Sequence, residues 1–268
     1  MTRMPVVFFG HGSPMIALET NETSRAWEDV AATLPRPRAI LSISAHWETR
    51  GTAVTAMERP RTIHDFGPSF PKALFDMRYP APGDPALARR VGELLAPTPV
   101  YLDIDRWGLD HGTWSVLVKA FPKADIPVIQ LSLDVDAPPA QRLDIGRRLA
   151  PLRDEGVLIM GTGNIVHNLP AMDWGSRDCA PYDWSARFLG EIRDAILRDE
   201  PQRVADFARL GEDARRAAPT PEHFWPLLYV LGARLPGDAA RLVNDRIEHG
   251  SLGMTSVVLT PAEARAAA

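Results

Sequence analysis

The segment Pro5-Val-Val-Phe-Phe-Gly-His-Gly-Ser-Pro14 places a histidine directly after a short apolar run. A second run, Ala39-Ile-Leu-Ser-Ile-Ser-Ala45, is followed by His46 in the same way. Runs that are apolar on both faces are typical of central strands covered by helices. Ligands of open α/β sheets gather at the carboxyl ends of the strands. The sequence therefore predicts that His11 and His46 share one site if their strands are neighbours.

Short apolar, β-branched runs alternate with amphipathic stretches along the chain, which indicates an α/β fold. We predict a central, mostly parallel or mixed β-sheet flanked by helices on both faces, in a single domain over residues 1–268. The clearest predicted strands are Pro5–Gly10, Arg38–Ala45, Thr98–Ile104, Ile126–Leu133 and Gly156–Gly161. The predicted helices are Asp84–Ala96, Thr113–Phe121, Pro138–Arg153, Trp184–Leu197 and Pro221–Leu235. Two later alternating segments, Arg241–Ile247 and Gly253–Leu259, are expected to form an antiparallel pair.

The composition excludes several classes of partner and site. The formal net charge of −4 and the pI near 6.0 give no sign of a nucleic acid or an anionic membrane as partner. The single cysteine, Cys179, excludes a disulfide, a zinc ribbon and an iron–sulfur cluster within one chain. The apolar run after Pro5 is too short for a signal-peptide core, and no stretch approaches the roughly 18 apolar residues of a membrane span. We therefore expect a reduced, cytoplasmic protein.

A third histidine, His223, lies in Ala218-Pro-Thr-Pro-Glu-His-Phe224. Thr220 is predicted to cap a helix whose first residue is Pro221, which puts His223 in the first helical turn. The helix dipole disfavours a protonated imidazole there, and a metal ion needs the neutral ring. Glu222 is an alternative ligand, although a carboxylate in a first turn is more simply explained by the helix dipole.

Two further histidines lie where loops leave predicted elements, His167 after the strand that ends at Gly161 and His111 just before a predicted helix. Neither accompanies a serine or cysteine in a nucleophile motif, and the loop after that strand lacks the third glycine of a dinucleotide-binding fingerprint. A loop histidine taken alone is explained as well by a hydrogen bond as by a metal ion. The pair of strand-exit histidines strengthens the metal interpretation. His249 is expected to be a surface residue at a strand end.

Six short motifs follow one another along the chain. They are Ser44-Ala-His-Trp-Glu48, His64-Asp-Phe-Gly67, Tyr79-Pro-Ala-Pro-Gly-Asp84, Asp110-His-Gly-Thr-Trp114, Gly163-Asn-Ile-Val-His-Asn168 and Glu222-His-Phe224. With them, nearly the whole chain resembles the DOPA-type extradiol dioxygenases, a branch of the class III ring-cleaving family. No single motif is decisive, but six in this order argue against chance similarity.

The resemblance implies a role for each histidine of these motifs. His11, His46 and His223 are expected to hold the metal. Many class III enzymes instead hold it with two histidines and one glutamate. His167 is expected to be the acid/base residue, and His111 to line the substrate or O₂ side of the pocket. Substrate contacts are expected from His64, Trp47, Phe66 and Phe224, although each aromatic residue is explained equally well as part of the core.

The expected cofactor is iron(II), and the expected partners are a small aromatic diol and O₂. By analogy with the family, the product is a muconic semialdehyde. Three histidines are also the ligand set of catalytic zinc enzymes, so zinc as the bound metal and a zinc-dependent hydrolase form the alternative prediction. A non-catalytic adaptor that carries a metal on the same fold is a third interpretation, against which His167 and His111 argue. The sequence does not distinguish among catechols, ring bonds or oligomeric states.

Overall fold

The computed structural model of the protein describes residues 3–262, and its centre is one mixed β-sheet of eight strands. Its strands are β1 (Val6–Gly10), β2 (Ala39–Thr49), β3 (Thr52–Thr55), β4 (Val100–Asp103), β5 (Val128–Asp134), β6 (Val157–Gly163), β7 (Ala239–Val243) and β10 (Ser256–Thr260). The short strands β8 (Ile247–Glu248) and β9 (Leu252–Gly253) pair with each other in a separate ribbon. All five strands named first in the sequence analysis overlap an observed strand, and β7 and β10 are the predicted antiparallel pair.

Helices connect the strands and cover the sheet. They are α1 (Glu22–Thr33), α2 (Lys72–Asp76), α3 (Pro85–Leu95), α4 (His111–Ala120), α5 (Pro139–Leu149), α6 (Asp183–Leu197), α7 (Pro201–Ala205), α8 (Glu212–Ala217) and α9 (Trp225–Gly232). Short 3₁₀ turns occupy Pro14–Ala17, Ala150–Arg153, Leu169–Ala171 and Phe207–Leu210. Within the described residues, none of the helices is long and apolar enough to cross a membrane.

The strand order is β4-β3-β5-β2-β6-β1-β10-β7. The four central strands β5, β2, β6 and β1 are parallel neighbours, and antiparallel pairs join β3 to β5 and β10 to β1. Gly10 at the end of β1 pairs with Gly163 at the end of β6, and Ser44 in β2 pairs with Thr162. The carboxyl ends of β1, β6 and β2 therefore lie side by side, with β6 between the two strands that carry His11 and His46.

Alternate residues of each central strand point to opposite faces of the sheet, and each face is buried. Val7 and Phe9 of β1 pack in a core with α1 and α4, whereas Val6 and Phe8 pack in a core with α3, α5, α6 and α9. Burial of both faces explains why these strands are almost wholly apolar. The predicted α/β fold with a mixed sheet between two helical layers is confirmed.

The prediction of a helix that begins at Thr220 and Pro221 is wrong. The chain makes turns up to Phe224, and α9 begins at Trp225. The N–H groups of Phe224 and Trp225 both donate to the carbonyl of Pro221, at 3.0 and 3.1 Å, and Pro226, which has no N–H group, cannot donate to the carbonyl of Glu222. The Thr220 hydroxyl donates instead to the carboxylate of Glu222, at 2.9 Å. The segment that carries His223 is therefore a turn rather than the first turn of a helix.

Candidate metal centre

Three histidines from distant parts of the chain converge at the carboxyl edge of the sheet. His11 follows β1, His46 lies within β2, which continues to Thr49, and His223 lies in the turn before α9. One ring nitrogen from each lies within 4.8 Å of the others. The Nε2 atoms of His11 and His46 are 3.0 Å apart, and the three ring centroids are 5.0–5.4 Å from one another. The arrangement aims three imidazoles at one point.

The end of β6 holds two of these histidines in place. The backbone N–H of His11 donates to the carbonyl of Gly163 at 3.0 Å, and the N–H of Asn164 donates to the carbonyl of His223 at 2.8 Å. The Asn164 side chain also donates to the carbonyl of His11. A Cβ atom on Gly163 would lie 2.1 Å from the carbonyl oxygen of His223, so only glycine allows this close approach. The two chain segments are therefore joined through backbone contacts as well as through their side chains.

Burial keeps the three imidazoles in their neutral form. The pKa values of His11, His46 and His223 are lowered well below the usual value, first by loss of solvent and then by the proximity of the other histidines. Burial, rather than the helix dipole expected from the sequence, therefore keeps His223 neutral. Neutral imidazoles are the form that binds metal ions.

Two carboxylates contact the outer nitrogens of these rings. Asp65 Oδ2 lies 3.6 Å from Nδ1 of His46, and Glu222 Oε1 lies 3.0 Å from Nδ1 of His223. Carboxylates in this position fix the orientation of metal-binding histidines and raise their basicity. Asp65 does not appear among the site residues predicted from sequence, although it belongs to the His64-Asp-Phe-Gly67 motif. The sequence suggests that Glu222 complements a helix dipole. In the structure its carboxylate contacts Nδ1 of His223 and orients that ring.

The other two predicted histidines flank the cluster on separate sides. The ring of His167 stacks on that of His223, with centroids 3.5 Å apart and planes 7° from parallel. The ring of His111 lies 3.9 Å from that of His46. Burial lowers the pKa of His167 to about 4, so this ring is neutral at pH 7 rather than close to its titration midpoint. Both rings thus lie within reach of a molecule bound at the cluster.

A cavity of about 540 Å³ opens beside the cluster and is lined by all five of these histidines and by Phe66. The other residues predicted at the substrate lie elsewhere. His64 contacts the carbonyl of Met77 and packs on Phe66, which puts it behind the cavity wall. Trp47 stacks on Trp107, and Phe224 packs on Phe207 in the core. Neither Trp47 nor Phe224 is among the residues that line the cavity.

The chemistry of the donor set fits a divalent transition metal. Two nitrogens bound to one ion at ~2.1 Å lie roughly 3.0 to 3.4 Å apart, according to whether the geometry is octahedral or tetrahedral. The separation of 3.0 Å between the Nε2 atoms of His11 and His46 falls in this range. Glu222 contacts Nδ1 of His223 and Asp65 faces Nδ1 of His46, so the Nε2 atoms of these rings are the ones directed to the ion.

Comparison with known proteins gives matches over nearly the whole chain. Residues 6–260 match the family described as the catalytic LigB subunit of aromatic ring-opening dioxygenase. The chain is 51% identical to the 4,5-DOPA dioxygenase extradiol of Escherichia coli (strain K12), over 96% of this chain and 94% of that protein. It is 36% identical to the protein of the same name from Beta vulgaris, over 94% of this chain and 95% of that one.

A solved structure has the same fold. The crystal structure of an uncharacterized protein from Escherichia coli K12 superposes with a TM-score of 0.83 at 46% sequence identity. The match covers 96% of this chain and 99% of the other. The likeness therefore extends over nearly the whole of both chains rather than over a shared fragment.

Proposed function

This chain belongs to the family of LigB-type catalytic subunits of aromatic ring-opening dioxygenases, and from this premise we propose its substrate, metal and product. The proposed substrate is a DOPA-like catechol, the proposed metal is iron(II) held by His11, His46 and His223, and the proposed product is a muconic semialdehyde. The observation that carries the proposal is the convergence of three neutral imidazoles at one end of a cavity that two further histidines also line.

The metal site supports iron(II) through its ligands and its open side. Three neutral ligands leave a divalent ion its full charge, which a catecholate neutralises. The cavity borders all three of these histidines, so a diol and O₂ would have room beside an ion that they hold. When bound, iron(II) supplies the electrons that activate O₂ for attack on the ring.

His167 and His111 supply the proton chemistry in the proposed reaction. His167 accepts a proton from a catechol hydroxyl, because its neutral ring lines the cavity beside His223. His111 lies beside His46, where it stabilises negative charge that develops on oxygen or donates a proton. Asp65 holds the ring of His111 from behind, 3.0 Å from Nδ1, and so directs its other nitrogen toward the cavity.

Oxygen uptake tests the proposal directly. Protein stripped of metal, reconstituted anaerobically with iron(II) and given a panel of catechols should consume one O₂ per ring opened. A yellow product should appear as the enol of the opened ring ionises. Zinc-loaded protein should do neither, because zinc has no redox chemistry. Absence of uptake over the whole panel, together with hydrolysis of an ester or amide by the zinc-loaded protein, would favour the hydrolase.

A further inference from the structure

The cavity carries three charged side chains in addition to its histidines. Among the described residues that line it, these are Arg177, Glu19 and Glu248. Most of the remaining wall is apolar, including Met15 and Phe70. The polar partners of Arg177 are the two glutamates rather than the clustered histidines. The proposed ring chemistry therefore has no use for this charged part of the wall.

Arg177 bonds firmly to one glutamate and loosely to the other. Its Nη2 atom donates to Oε1 of Glu248 at 3.0 Å, whereas Nη1 lies 3.7 Å from Oε2 of Glu19, beyond hydrogen-bond length. Glu248 is buried and also accepts from Arg246 at 3.0 Å, so a second cation compensates its charge. Glu19 exposes 43% of its side chain. Nη1 of Arg177 and the carboxylate of Glu19 thus present a donor and an acceptor at the cavity wall.

We propose that Arg177 and Glu19 form a subsite for an α-amino-acid tail on the catechol, with Arg177 on the carboxylate and Glu19 on the ammonium group. The inference rests on the proposed function, because it places the catechol ring at the histidines. An α-carboxylate and an α-ammonium group are attached to one carbon, so a receptor for both needs its donor and acceptor close together. The distance of 3.7 Å between the two side chains meets this condition. A guanidinium also matches a carboxylate in shape.

The size and charge of the cavity support the same assignment. A volume of about 540 Å³ lies in the range that holds ligands of drug size, which is more than a bare ring needs. Because Arg246 compensates the charge of Glu248, the wall presents one guanidinium, that of Arg177, and one further carboxylate, that of Glu19. A tail with a single charge pairs with only one of these two groups, whereas a zwitterionic tail pairs with both.

Four catechols that differ in their tails test the subsite: DOPA, dopamine, 3,4-dihydroxyphenylpropionate and 4-methylcatechol. DOPA carries both charged groups and dopamine the ammonium group alone. 3,4-Dihydroxyphenylpropionate carries the carboxylate alone, and the tail of 4-methylcatechol has no charge. We expect the iron(II)-loaded enzyme to have its highest kcat/KM for DOPA, with the preference expressed in KM. Calorimetry on zinc-loaded protein measures Kd without turnover, and DOPA should bind most tightly there as well.

Variants separate recognition of the tail from a structural role. Arg177→Gln should lower the ratio of kcat/KM for DOPA to that for 4-methylcatechol by about tenfold to a hundredfold, as expected for loss of a charged hydrogen bond. Glu19→Gln should lower the ratio for dopamine to 4-methylcatechol. Arg177→Lys keeps the charge and should restore part of the first ratio. Arg187→Gln is the control, because Arg187 pairs with Asp213 on the surface.

The outcomes distinguish the two proposals. Equal losses on all four catechols in Arg177→Gln, or an unchanged ratio, would overturn the subsite. If wild-type protein opens none of the four, the proposed function fails, and the Kd values of the zinc-loaded protein still decide about the subsite. Binding of DOPA no tighter than that of 4-methylcatechol would then overturn it.

Discussion

Asp65 contacts His111 at two points. Its Oδ1 accepts from the backbone N–H of His111 at 2.8 Å, and its Oδ2 lies 3.0 Å from the ring Nδ1. The same Oδ2 lies 3.6 Å from Nδ1 of His46. Burial alone would raise the pKa of Asp65, but the hydrogen bonds and nearby imidazoles outweigh it and lower the pKa. One charged carboxylate therefore contacts the ring of a proposed catalytic residue and lies close to the ring of a proposed metal ligand.

Replacement of Asp65 by Asn keeps the shape of the side chain and removes its charge. We expect ring-opening activity or metal affinity to fall by about tenfold to a hundredfold, the usual effect of losing the carboxylate behind a metal-binding histidine. Oxygen uptake and metal content are measured together. Asp76→Asn is the control, because Asp76 pairs with Lys72 on the surface, and it should change neither. Full activity and full metal content in Asp65→Asn would show that neither catalysis nor metal binding depends on the charge of Asp65.

Metal content tests the ligand set. Replacing His11, His46 or His223 by Ala should sharply reduce the metal bound after reconstitution with iron(II), because each removes one of three converging nitrogens. His249→Asn is the control: His249 lies outside that cluster, and Asn tolerates its positive φ of 50°. Full metal retention in His223→Ala would move the third ligand to Glu222 or elsewhere.

His167→Ala separates proton transfer from metal binding. The ring of His167 stacks on that of His223 and lies outside the group of His11, His46 and His223, although its nitrogen also lies within 4.8 Å of ligand atoms of Glu222 and His223. We expect the variant to keep its metal and to bind a catechol, while turnover falls by roughly 10²–10⁴-fold, the usual range for loss of a general acid/base. Loss of metal along with activity would show instead that His167 is a ligand.

The fold and the family follow from the sequence, because strand patterns and ordered motifs are local. The positions of His11 and His46 at the carboxyl edge follow from the same pattern. The role of Asp65 does not, because it depends on contact with His111, 46 residues further along the chain. The hydrophobic periodicity of the sequence, which predicts helices and strands, gives no information about a contact of this kind.

The aromatic residues next to the proposed metal ligands do not follow them into the cavity. Neighbours in a strand point to opposite faces, so Trp47 leaves the side of the sheet that His46 faces and stacks on Trp107. Phe224 likewise turns away from His223 to pack on Phe207 at a centroid distance of 4.3 Å. Proximity in sequence to a proposed metal ligand therefore does not predict a place in the cavity wall.

The pH dependence of stability tests the buried carboxyl group of Asp110. Burial and then the charge of Asp65 raise the pKa of Asp110 to about 6, against about 3.9 in the unfolded chain. The folded protein therefore binds more protons between these values, so the contribution of Asp110 to stability is present below pH ~3.9 and is lost as the pH rises through 6. Asn at this position still accepts from the N–H of Thr113 but does not titrate.

We expect the free energy of unfolding of Asp110→Asn, relative to wild type, to increase by on the order of 2 kcal/mol between pH 4 and pH 7.5. Denaturant titrations at several pH values measure the difference. The altered hydrogen bond with Gln130 adds an offset that does not depend on pH. Parallel curves for the two proteins would contradict the raised pKa.

Gly163→Ala tests whether the backbone approach at the end of β6 holds the metal centre together. The added Cβ would lie 2.1 Å from the carbonyl oxygen of His223, and backbone must shift to make room. We expect the free energy of unfolding to fall by about 1–3 kcal/mol, as for other overpacked sites, and metal affinity to fall as His223 moves.

Gly92→Ala in α3 is the matched control, because its Cβ meets open space. It should raise stability by about 0.5–1 kcal/mol through lower chain entropy and leave metal content unchanged. Equal metal affinity in the two variants would show that metal binding by His223 does not depend on the close backbone contact with Gly163.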